Sequence, residues 1–124
     1  NRLAIRRNLG GFATWAQELV PAVSGVGHYQ GLDVGDIDRD GRLDVVVSTW
    51  EVNALPTSPL IGVYWLRNAG PGAWELNDIS GPGGSKYDNP VLLDVDGDGD
   101  LDVIDSEQVD QQGVVWFANP MIGG

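Results

Sequence analysis

The 124-residue chain reads as all-β, assembled from repeated four-stranded antiparallel sheets. Three observations predict this. One stretch of sequence occurs twice, short β-branched runs alternate with Gly, Pro, Asn and Asp, and helical periodicity is absent almost everywhere. The 18 glycines are about twice the usual share of roughly 7%, which implies many tight turns. A hydrophobic content of 42%, regularly placed, argues against disorder.

The repeat is explicit. Gly35–Val46 (GDIDRDGRLDVV) returns as Leu93–Ile104 (LDVDGDGDLDVI), 58 residues on (94 − 36). Val63–Asn68 answers to Leu3–Asn8 sixty residues earlier and to Val114–Asn119 fifty-one residues later. Trp15–Val20 corresponds to Trp74–Ile79 at an offset of 59. Loops such as 51–60 absorb the drift in offset.

Within the full unit, strands are expected near Gly31–Val34, Leu43–Thr49, Gly62–Asn68 and Ala73–Ile79, each bounded by turn-forming residues. The next unit repeats the first three near Pro90–Leu93, Leu101–Asp105 and Gly113–Phe117. Leu3–Arg7 and Phe12–Val20 supply the last two strands of a preceding unit; Ala13–Val20 has a weak helical reading, but its match to Trp74–Ile79 favours strand. Residues 1–124 therefore form one repeat domain: 1–30 the end of one unit, 31–80 a full unit with an acidic loop at 36–44, and 90–119 a partial unit with a loop at 94–102.

Four-stranded units recurring at this spacing are the mark of β-propeller blades. Two blades cannot close a ring of about four to eight. The flanking faces then require other blades of a longer protein, or copies of this chain in a ring or a head-to-tail filament. The chain opens on Asn1 with no cationic and apolar leader, and it reads as a processed chain or a piece of something longer.

Charge narrows the function. A net charge of -11, with only 7 Lys plus Arg against 18 Asp plus Glu, argues against a phosphate-binding surface for nucleic acid. Apolar runs such as Val45–Val47 and Val91–Leu93 fall far short of the roughly 20 residues that cross a bilayer, so no membrane insertion is expected. The absence of Cys removes disulfide scaffolds, thiol catalysis and zinc ribbons.

Nine of the 18 acidic residues lie in the two loops: Asp36, Asp38, Asp40 and Asp44, then Asp94, Asp96, Asp98, Asp100 and Asp102. Crowded carboxylates repel unless a proton or a cation lies between them. Hard oxygen donors without His or Cys select calcium or magnesium, and a flexible loop with many oxygens suits calcium. Both copies spell D-x-D-x-D-G-x-L-D. Carboxylates at positions one, three and five curl around one point, Gly at six reverses the chain, seven offers a carbonyl and nine closes the cage. An EF-hand begins the same way but needs a Glu at position twelve and flanking helices; this chain has Val47 and Asp105 there, and β-branched strands follow.

These loops, the strands after them and the W-x-x-N-x-G phrase of Trp65, Asn68 and Gly70 resemble the FG-GAP or VCBS repeats of integrin-like β-propellers, over nearly the whole chain. The phenylalanine-glycine pair of that family is missing ahead of either loop, where Gly31-Leu32-Asp33 and Pro90-Val91-Leu92 stand. The resemblance implies one calcium ion per loop, about two per chain. Its ligands would be the side chains of Asp36, Asp38, Asp40 and Asp44 with the Arg42 carbonyl, and those of Asp94, Asp96, Asp98 and Asp102 with the Asp100 carbonyl. Two such ions would bring the formal charge from -11 to -7 and tie folding to metal.

No catalytic residue is assigned. His28, the single histidine, is expected to pack or hydrogen-bond at the entrance to the Gly31 strand, and the glycine stretches at Gly70–Gly72 and Gly81–Gly84 lack the helix and Lys of a phosphate loop. Trp65 and Trp116, like Trp15 and Trp74, recur in register and read as core between units. Trp50 has no aromatic counterpart and, with Glu51, could stack a sugar; Glu107, Gln108 and Asp110 occupy the corresponding loop. The expected function is a calcium-stabilised, non-catalytic propeller module, secreted or at the cell surface, that recognises protein or carbohydrate or self-assembles. The alternatives are a segment of a carbohydrate-active propeller enzyme of lyase or dehydratase type, and a structural subunit of a ring or filament.

Overall fold

The computed structural model describes residues 3–11, 13–20, 28–50, 62–81, 86–109 and 112–120. Nine antiparallel strands form three sheets, with no helix among the described residues. A hairpin comprises β1 (Ala4–Asn8) and β2 (Trp15–Leu19). A four-stranded meander runs β3 (His28–Gly35), β4 (Asp44–Trp50), β5 (Val63–Gly70) and β6 (Ala73–Asp78). A three-stranded meander runs β7 (Val91–Leu93), β8 (Asp102–Glu107) and β9 (Gly113–Phe117). Each expected strand coincides with an observed one to within a few residues. The largest shifts are at β3, which begins at His28 because that residue pairs with Trp50, and at β2, which is shorter than its expected span. Phe12, loop 51–60 and the segment after Pro120 lie outside the described residues.

The core explains the order of the sheets. Side chains alternate across a strand, so Val45 and Val47 of β4 face one way and Val46 the other. Val45 and Val47 join Val20, Tyr64 and Leu66, with Ile5, Trp74 and Leu76 at the margin. Val46 joins Ile37, Val63, Tyr87 and Val103, flanked by Trp65, Leu92 and Phe117. The middle sheet is thus covered on both faces, by the β1–β2 hairpin and by the β7–β9 sheet. A strand buried on both faces needs an unbroken apolar run, which the VVV of β4 supplies.

Contact between the middle and third sheets is closest at their edge strands β3 and β7. Leu92 donates its backbone N–H to Asp33 Oδ2 at 2.8 Å, and Asn119 Nδ2 donates to the Ile37 carbonyl at 3.2 Å. Glycine makes the approach possible. A Cβ on Gly31 would sit 2.6 Å from the Asp88 carbonyl, and one on Gly35 would sit 2.7 Å from Leu101 Cδ1. Away from these edges, a cavity of about 570 Å³ opens between the sheets, lined by Trp65, Ile79, Leu101, Val103 and Phe117 among others.

Candidate metal centre

Each acidic loop leaves the first strand of its meander and returns along the second, and the two share most of their bonds; the second adds Gly97 N–H to Asp94 Oδ1 at 2.8 Å, where the first has Arg39. Asp36 accepts the N–H groups of Asp40 at 3.0 Å and Gly41 at 2.8 Å; Asp94 accepts those of Asp98 at 3.1 Å and Gly99 at 3.0 Å. Asp38 accepts from Asp40 N–H and Asp96 from Asp98 N–H, both at 3.2 Å. Asp40 accepts from Arg42 N–H and Asp98 from Asp100 N–H. Carboxylates two residues apart therefore turn inward because each caps the backbone of the next turn. Gly41 and Gly99 take φ of 87° and 94°, where a side chain is unfavourable. Arg39 holds φ 62° where the second copy has Gly97 at 77°.

The ninth position closes both loops against the third strand of its sheet. Asp44 is fully buried and accepts the N–H of Ile37 at 3.0 Å and of Asn68 at 2.8 Å. Asp102, equally buried, accepts those of Val95 and Asn119 at the same two distances. Asn68 Nδ2 and Asn119 Nδ2 donate back to the carbonyls of Leu43 and Leu101. The Asn of the W-x-x-N phrase is thus the clamp that holds the loop onto the strand.

Carboxylates converge in both loops. Oxygens of Asp36, Asp38 and Asp40 lie within 4.8 Å of one another; in the second loop Asp94, Asp96 and Asp102 form one such group and Asp96, Asp98 and Asp100 another. Asp44 is not in the first group. Its counterpart Asp102 makes the same two backbone bonds and does join a group. Hard oxygen donors at this spacing fit a divalent cation of the calcium or magnesium kind. Asp98 Oδ2 is buried with no hydrogen-bond partner among the described residues, as an oxygen reserved for a cation would be. A bound ion would supply positive charge that neutralises these oxygens and cross-links the turn to its sheet.

Electrostatics differ between the copies. Burial works to raise the pKa of Asp38, but the Arg67 guanidinium and the Asp40 N–H outweigh it and leave the group below its usual range. Asp96 is pushed up by burial and by the charges of Asp98 and Asp102, against the Asp98 N–H. Asp102 also suffers burial, yet the N–H groups of Asn119 and Val95 bring it below the ordinary value. In Asp44 burial wins over the bonds from Asn68 and Ile37, and its pKa is raised.

Arg67 was not legible as part of the site. Its Nε pairs with Asp38 Oδ2, its Nη2 lies 3.3 Å from Asp40 Oδ2, and its Nη1 lies 3.2 Å from Glu75 Oε2. Arg42, expected to contribute a carbonyl, also sends Nη2 to Asp40 Oδ2 at 3.1 Å and Nε to the Asn68 carbonyl. The one sequence signal was the departure from the repeat at Arg67, where the second copy has Ala118.

The other candidates fall elsewhere. Trp50 ends β4 beneath Lys86, whose Nζ is 5.4 Å from the ring centre, and it bridges the Lys86 backbone; Glu51 and Asp110 lie outside the described residues. Glu107 is buried and accepts the N–H groups of Lys86, Val109 and Gln112, while Gln108 Oε1 accepts from Lys86 Nζ. No protein-family model, curated protein or solved structure matches this chain.

Proposed function

We propose that the chain is a calcium-stapled, non-catalytic segment of an FG-GAP/VCBS-like β-propeller, acting outside the cell as a recognition or assembly surface. The observation that carries this reading is the shared set of backbone bonds that folds two clustered-carboxylate loops at the same place in two successive sheets. The stacking of the sheets supports the propeller: edge strands β3 and β7 meet, as the inner strands of adjacent blades do, while a cavity lined by residues of the later strands lies between the sheets.

The free face of the third sheet supports continuation of the stack. Trp65 of β5 packs toward the third sheet. Its counterpart Trp116 on β9 is 48% exposed and its same-face neighbour Val114 is 77% exposed. A further sheet of the same kind, from more chain or from another copy, would cover them. Millimolar affinities suit the calcium of extracellular modules, and a protein or carbohydrate ligand would then sit on the loops.

Thermal melting of the full chain in calcium, in magnesium and in chelator tests the metal. Calcium is expected to raise the midpoint more than magnesium, and Asp38→Ala combined with Asp96→Ala to abolish the response. A midpoint indifferent to calcium and chelator in the parent chain would overturn the reading. Light scattering under the same conditions reads assembly.

A further inference from the structure

We propose that Arg67 is a built-in cation of the first loop, so that the chain binds one divalent ion, at the second loop, rather than one at each. The proposal rests on the metal reading above and refines it.

The two loops share most of their backbone bonds but not their charge. Around the first, Arg67 places two nitrogens on Asp38 Oδ2 and Asp40 Oδ2, two of the three carboxylates that converge there. Its third nitrogen is held by Glu75 of β6, so the guanidinium is fixed from both sides and does not have to be ordered when it binds. Arg42 adds a second positive group at Asp40 Oδ2. Around the second loop the repeat has Ala118 in place of Arg67 and Asp100 in place of Arg42. Among the described residues no Arg or Lys pairs with Asp94, Asp96, Asp98 or Asp102.

A divalent ion entering the first loop would have to displace charge-assisted hydrogen bonds and sit beside a fixed positive charge. Displacing even one such bond weakens binding by about ten- to a hundredfold. The second loop bears no such cost. The first is therefore a permanently closed staple, and only the second responds to the metal around it.

Calcium titration calorimetry on the full chain, with terbium luminescence as a second readout, tests this. The parent should bind one ion, Asp96→Asn with Asp98→Asn should bind none, and Asp38→Asn should still bind one. Arg67→Ala should gain a second ion. The reciprocal variant Ala118→Arg should weaken the second site by about tenfold or more, and it keeps the test intact if Arg67→Ala fails to fold. Two ions of equal affinity in the parent would overturn the role of Arg67 while leaving the metal reading in place. So would one ion in Arg67→Ala together with unchanged affinity in Ala118→Arg. No ion in the parent would overturn the metal reading and this proposal with it.

Discussion

Asp33 on β3 accepts the backbone N–H of Leu92 on β7 at 2.8 Å, 59 residues away, so a single carboxylate ties the edge of one repeat to the edge of the next. Its other oxygen accepts Val34 N–H at 2.8 Å, which fixes the side chain in place. The 58-residue repeat puts Val91 at the position of Asp33, so this bond joins these two sheets and cannot recur by the same residue at the next junction. Asp33→Ala is expected to cost about 1.5–3 kcal/mol, the range for a hydrogen bond to a charged group. Urea unfolding checks it: the midpoint should drop, and a lower slope would show the third sheet detaching before the rest.

Gly31 should be as intolerant as Asp33, for a steric reason. Its absent side chain lets β3 lie against the Asp88–Asn89 backbone, where a Cβ would stand 2.6 Å from the Asp88 carbonyl and 2.8 Å from Asn89 Cα. Backbone cannot swing aside as a side chain can. Gly31→Ala is expected to destabilise by about 1–3 kcal/mol, as overpacking does, measured as a lower thermal midpoint with a native-like circular dichroism spectrum.

Asp44 separates loop architecture from metal binding. It is fully buried and satisfies two N–H groups, those of Ile37 and Asn68. Asp44→Ala leaves both donors unmatched, each at a cost of about 1–3 kcal/mol. Because those bonds are made to the chain's own backbone, the loss should persist in chelator, whereas loss from Asp96→Ala should be largest in calcium. Melting both variants with and without calcium distinguishes the two roles; an Asp44→Ala deficit that vanishes in chelator would assign Asp44 to the ion instead.

The repeat made nearly all of the strand order legible, because the backbone bonds that define each loop come from residues that recur: Asp36 and Asp94, Asp44 and Asp102, Asn68 and Asn119. What stayed hidden lies in the residues that break the repeat. Arg67 reaches Asp38 and Asp40 across 29 and 27 positions, and no local pattern encodes that span. The sequence assigns Asp33 no role and places Glu107 only in a polar loop, yet both hold backbone N–H groups of another segment. Trp50 stood out because it lacks a counterpart; its ring lies under Lys86, a pairing set by how the segment before β7 crosses the end of β4.

Asp105 carries the pH dependence outside the loops. It is 2% exposed, its Oδ1 accepts Ser106 N–H at 2.7 Å and Asn89 N–H at 3.0 Å, and its buried Oδ2 has no partner among the described residues. Burial raises its pKa above the ordinary 3.8, with the neighbouring Asp88 charge adding to the shift and the backbone bonds from Ser106 and Asn89 opposing it. The folded chain therefore holds this proton at a pH where the unfolded chain has released it, and stability falls as pH rises from 3.8 through the folded pKa. Above that window the buried charge is a standing penalty. Asp105→Asn keeps one oxygen for the two N–H groups and removes the charge, so it should be more stable than the parent at pH about 7 and lose that advantage as the pH falls toward the ordinary carboxylate range. Thermal midpoints of both proteins across that range, in chelator to silence the loops, measure the difference; an advantage that is absent at neutral pH, or that grows on acidification, would mean that Asp105 is stabilised as an anion.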